Sequence, residues 1–130
     1  SNLQKYSSWR VLLNENEIKK FLQSKGFTII KPENFSFKKQ VEIFNSADVI
    51  ISLFGAAMMM LTFCNKKVKI IEIMPKNAGN DFKNISEKLN FQHEQIKIKP
   101  NLKSSTPQNG LLFCDLNLIK KKLKKLYIKI

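Results

Sequence analysis

The feature that most limits how this chain can fold is a pair of apolar runs without polar alternation, Val49–Ser52 and Val68–Ile73, both inside SADVIISLFGAAMMMLTFCNKKVKIIEIMP at residues 46–75. A strand with one wet face alternates apolar and polar residues, whereas a strand covered on both faces does not. Two such runs, joined by a stretch long enough for only a short helix, predict parallel neighbours in a sheet sandwiched between helices.

The rest of the chain repeats the alternation. WRVLL (Trp9–Leu13) reads as the first strand, and NENEIKKFLQSK places Ile18, Phe21 and Leu22 at helical spacing, with Glu15 and Glu17 near its start and Gly26 past its end. Phe27–Ile30 is the second strand, closed by Pro32. Ser36 suits the cap of a second helix, with Phe37, Val41 and Phe44 on one face, before a third strand at Asp48–Ser52. Gly55–Phe63 is a short helix, apolar almost all round, and Val68–Ile73 is the fourth strand. A helix opening at Asn80 or Asp81 runs through Phe82, Ile85 and Leu89 to an alternating edge strand, Glu94–Lys99. Pro100–Gly110 reads as a loop, LLFCD as a short extended piece, and residues 116–130 as a basic amphipathic closing helix.

At 130 residues the chain fits one domain. The expected fold is α/β: a three-layer, doubly wound, mainly parallel sheet of about five strands, Rossmann-like, in the order 3-2-1-4-5. The leading Ser-Asn in place of Met reads as the scar of an excised domain.

Ligands of such sheets bind beyond the carboxyl ends of the strands, where the strand order reverses. In the expected order that point lies between strands one and four, beside Asn14–Glu15, Pro32–Glu33, Leu53–Gly55 and Met74–Gly79. Glu72 falls one residue before the end of strand four. It reads either as an acceptor for ribose hydroxyls or as an acid reaching past the strand end to water. Gly55-Ala56-Ala57 opens a helix directly after a strand, so its free backbone N–H groups suit an anion, or the glycine only makes the turn. There is no GxGxxG and no Walker sequence. Met58–Met60 reads as core packing or a soft apolar pocket.

His93, the only histidine, lies on or beside the edge strand and far in sequence from these segments. No Ser-His-Asp or Cys-His constellation and no metal-ligand spacing can be assembled, so the catalytic residues stay unassigned. Cys64 and Cys114 make no disulfide framework, no cleavable signal is visible and no apolar run would span a bilayer. A cytoplasmic setting is expected.

The net charge is +13, yet Arg10 is the only arginine. The charge reads as an anionic partner or as lysine-rich surface composition. Nucleic acid is not expected, because base and phosphate readers use arginine forks. In the tail, Leu116, Ile119, Leu123, Leu126 and Ile130 make an apolar stripe among Lys120, Lys121, Lys122, Lys124, Lys125 and Lys129. That stripe either packs on the sheet or lies in an anionic membrane surface.

RVLLNENEI and GFTIIKPENFSFKKQVEIFNSADVIISLFGAAMMMLTFCNKKVKIIEIMP, taken in order, resemble the C-terminal region of glycosyltransferase family 61, over roughly Trp9–Pro75 and more loosely to Leu89. The resemblance implies a GT-B-type transferase of two Rossmann-like halves, of which this chain is the half that holds the donor. It also implies a nucleotide-sugar donor, a glycan or lipid-linked acceptor, no metal or other cofactor, and a role in bacterial capsule or lipopolysaccharide synthesis. Carried over by position, the substrate-binding residues are Arg10, Asn14, Glu15, Gln40, Gly55, Ala56 and Glu72. The chain departs from the family pattern at one turn: Phe54 stands for a histidine, Ala57 for a glycine, and Met59 and Met60 for a Thr-Asn pair. Either donor binding has changed or this copy is a degenerate binding or scaffold module. In an active enzyme the basic tail would lie near the inner membrane.

Overall fold

The structure, a computed structural model, describes residues 5–8, 12–100 and 112–129. Five strands form one sheet: β1 (Lys5–Ser8), β2 (Thr28–Ile29), β3 (Val49–Leu53), β4 (Lys69–Pro75) and β5 (Gln92–Ile98). Four α-helices accompany them, α1 (Glu15–Ser24), α2 (Phe37–Ser46), α3 (Asp81–Lys88) and α4 (Leu116–Lys125), with 3-10 segments at Pro32–Asn34 and Ala56–Phe63. Every strand pairing is parallel. The α/β class is as the sequence predicts.

The strand order is not. It runs β2-β1-β3-β4-β5 rather than 3-2-1-4-5. Both orders satisfy right-handed crossovers, and burial decides between them. All five residues of β3 are buried, as a strand needs when both its faces and both its edges are covered, whereas β2 is two residues long with Thr28 exposed. The longer unbroken apolar run takes the centre and the short one the edge. The sheet therefore reverses between β1 and β3, not between strands one and four.

The first strand also lies upstream of Trp9–Leu13. The pairing of Lys5 with Val49 through Ser8 with Ser52 ends β1 in time for the chain to turn and start α1 at Glu15. Leu12 belongs to the core instead and makes an isolated parallel bridge with Leu112. The closing helix ends at Lys125, short of residue 130, and Tyr127 just beyond it has φ 57°.

Two apolar cores lie on the two faces of the sheet. One joins Ile18 and Leu22 of α1 with Ile119 and Leu123 of α4 against Val49, Ile51, Ile71, Ile73 and Ile96. The other joins Ile43 and Phe44 of α2 with Met58, Met60 and Leu61 against Ile50 and Ile70. The apolar stripe of α4 is thus spent on the sheet. Met58 and Met60 are core residues, while Met59 between them is 67% exposed. Phe37, expected to face inward, is the first residue of α2 and is 65% exposed, its ring meeting Phe63 edge-on at 5.7 Å.

Ala56–Phe63 is 3-10 rather than α, and at a 3-10 rise its eight residues cover about 16 Å, close to the length of the five-residue β3.

Candidate functional site

In a parallel sheet every helix starts at the carboxyl edge, so Asn14 and Glu15 at the start of α1, Gln40 in the first turn of α2, and the Gly55–Ala56 turn after β3 all stand on that edge. Gly55 follows β3, one of the two strands that flank the reversal of order. Its φ of 158° with ψ −167° lies in backbone space that side chains avoid, so the turn requires glycine. Phe54 N–H donates to Ile73 O at 2.8 Å, which holds the turn against β4. Arg10 lies outside the described residues.

The polar side chains on this edge are engaged within the fold. Asn14 donates Nδ2–H to Cys114 O at 2.7 Å and accepts the Cys114 N–H on Oδ1 at 3.1 Å. It therefore ties the start of α1 to the segment that leads into α4. Glu15 pairs with Lys19 at 2.8 Å, and Gln40 donates to Phe35 O at 3.1 Å. Asn14→Ala is expected to lower stability by about 1–2 kcal/mol, read from a urea midpoint, because it strands both backbone groups of Cys114.

Glu72 is not at the rim. β4 continues to Pro75, so Glu72 sits in mid-strand and is 1% exposed. It shares the α3 face with its register partners Ser52 and Gln95. Its Oε1 accepts from His93 Nε2 at 2.9 Å and from Gln95 Nε2 at 3.3 Å. His93 Nδ1 lies 2.6 Å from Ser86 Oγ of α3, and Lys83 Nζ donates to the His93 carbonyl. Gln95 also reaches Asn80, the residue before α3, at 3.3 Å. With a proton on Nε2, His93 donates to Glu72, and its Nδ1 meets the Ser86 hydroxyl. Glu72 Oε2 is buried without a hydrogen-bond partner.

His93 and Ser86 were missed from sequence, although a signal for each is present. In QHEQIKI the isoleucines at 96 and 98 mark the face toward α4, so His93 and Gln95 must share the opposite face with Glu72. Ser86 follows Phe82 by one helical turn, a polar residue on an otherwise inward stripe.

Ser86, His93 and Glu72 line up as a hydroxyl, imidazole and carboxylate relay, but Ser86 is 0% exposed and cannot reach a substrate. Their arrangement locks α3 to β4 and β5 and leaves one carboxylate oxygen unspent. Toward the carboxyl edge on this face stands Phe54, whose ring meets Phe82 at 5.3 Å. The thiols offer no nucleophile: burial pushes Cys64 up to about 12, and burial with the nearby Asp115 charge does the same to Cys114. Among the described residues no three His, Cys, Asp or Glu side chains gather as a metal site, and no helix is long and apolar enough to cross a membrane.

A search among curated proteins returns no significant relative. The family described as Glycosyltransferase 61 matches residues 2–71. That stretch runs from ahead of β1 into the middle of β4 and takes in Arg10, Asn14, Glu15, Gln40 and the Gly55–Ala56 turn, stopping one residue short of Glu72. Because it covers more than half of the sequence, the chain belongs to glycosyltransferase family 61.

Proposed function

We propose that this chain is the nucleotide-sugar-binding half of an inverting, GT-B-type glycosyltransferase of bacterial capsule or lipopolysaccharide synthesis. The observation that carries the reading is the glycine-only turn at Gly55, beside the reversal of strand order and inside the family match. There the backbone can approach a diphosphate without a side chain intervening. Arg10 would neutralise that diphosphate, and the unspent oxygen of Glu72 would accept a ribose hydroxyl once Phe54 and Phe82 part. The acceptor, a glycan or a lipid-linked sugar, would enter between this domain and an N-terminal half. Donor binding would need no metal and no nucleic acid would be bound. The enzyme would work in the cytoplasm, with the lysine-rich side of α4 toward the anionic inner membrane.

Titration with UDP- and CDP-sugars, on a sample that includes the N-terminal half, tests this reading. One donor class is expected to bind, unchanged by EDTA; Glu72→Gln is expected to weaken it at least about tenfold, the loss of one charged hydrogen bond, and Gly55→Val as much, by putting a side chain where the diphosphate would approach. Unaltered binding in both variants would remove the assigned site.

A second reading, a degenerate binding or scaffold module, has its own support. Phe54 supplies no polar group, and Glu72 is already held by His93. It predicts no binding to any nucleotide sugar by the same folded sample.

A further inference from the structure

Away from the Gly55 turn, a cavity of about 310 Å³ opens between the outer edge of β5 and α4. That size is at the small end of ligand sites, enough for a headgroup with a few carbons. From the strand edge it is lined by Gln95, Ile96 and Lys97, and from the helix by Leu118, Lys121, Lys122 and Lys125. The helix contribution follows from its period. Residues 119, 123 and 126 face the core, so 118, 121, 122 and 125 form the adjoining stripe, turned toward the strand edge.

Four lysines thus line this edge cavity, together with the apolar side chains of Ile96 and Leu118. Lys122 and Lys125 both donate to Glu94 Oε1, at 3.0 and 2.9 Å, so a single carboxylate holds two lysines in place. Burial works to raise the Glu94 carboxyl, but these two hydrogen bonds and the lysine charges outweigh it and hold it below the usual range. Among the described residues Lys97 and Lys121 have no ion-pair partner. The helix dipole accounts for lysines in the last turn of α4, and protection of a sheet edge accounts for one lysine on β5. Neither accounts for both sets converging on one cavity beside the half-exposed Leu118.

We infer that this cavity is a subsite for a phosphoryl group carried on an apolar chain. Lys97 and Lys121 contact the phosphate oxygens, Lys122 and Lys125 complete the positive wall, and the first carbons lie over Ile96 and Leu118. Lysine suits the task because an ammonium is a point charge that accepts phosphate in many orientations. Such a group has two sources, the headgroup of an anionic phospholipid in a bilayer or a free alkyl phosphate. This inference does not rest on donor binding at the Gly55 turn.

The test compares the full chain with Lys97→Gln/Lys121→Gln and with Lys66→Gln/Lys67→Gln, a pair that removes the same charge from an exposed turn. Each protein is titrated with octyl phosphate and sedimented with vesicles of phosphatidylcholine alone or with phosphatidylglycerol. The cavity pair is expected to lose about tenfold or more in affinity for at least one probe, and the turn pair far less. Loss confined to vesicles identifies a bilayer headgroup, loss confined to octyl phosphate identifies a free ester, and either outcome supports the subsite. Equal losses in the two pairs, or no binding of either probe, would overturn it.

Discussion

His93→Ala is expected to lower the unfolding free energy by about 3–5 kcal/mol, because it leaves the Glu72 carboxylate buried in mid-strand without its main partner. Urea denaturation read by far-UV circular dichroism measures it. The companion variant Glu72→Gln removes the charge while keeping the shape, and a neutral amide in the same place is expected to cost about 1 kcal/mol or less. The double variant should therefore recover much of what His93→Ala loses, a coupling that a double-mutant cycle isolates. A loss below about 1 kcal/mol for His93→Ala, in the range of exposed ion pairs, would mean that water reaches Glu72 in solution. Stability and donor binding separate here. Glu72→Gln leaves the first nearly intact, so its effect on nucleotide-sugar titration reports the site and not the fold.

Leu123→Ala is expected to cost about 2–5 kcal/mol. The side chain is fully buried in the core under α4, which joins the sheet through Ile119, Leu123 and Leu126. Lys124→Ala, one residue on and exposed, should stay within about 0.5 kcal/mol of the parent. If the helix instead lay in a membrane surface with its apolar stripe free, Leu123→Ala would leave urea stability unchanged in the absence of lipid. Comparable midpoints for the two variants would contradict the packing described for α4.

How far the sequence could be read depended on whether a residue's fate was set locally. The unalternating runs at β3 and β4 fixed a parallel, doubly covered sheet, since no other environment suits them. Ser36 caps α2 as expected, accepting from Lys39 N–H at 3.2 Å. Crossover handedness alone does not set the strand order; burial does, with the exposed Thr28 on a two-residue strand at the edge and the five buried residues of β3 at the centre. The site was the least legible part. Asn14 reads as an available polar side chain until Cys114, a hundred residues along the chain, is found bonded to it. Glu72 reads as a rim residue until β4 is seen to continue to Pro75, and His93 reads as remote because parallel pairing with β4 is a long-range fact.

The two-residue β2 has a consequence for how the molecule breathes. The two outer strands are unequal: β5 has seven register pairs with β4, while β2 has two with β1. Backbone amides along the β2 side should exchange with deuterium through small, frequent openings, while those of β3 and β4 should wait for global unfolding. The sheet has a loose hem on one side and a firm one on the other.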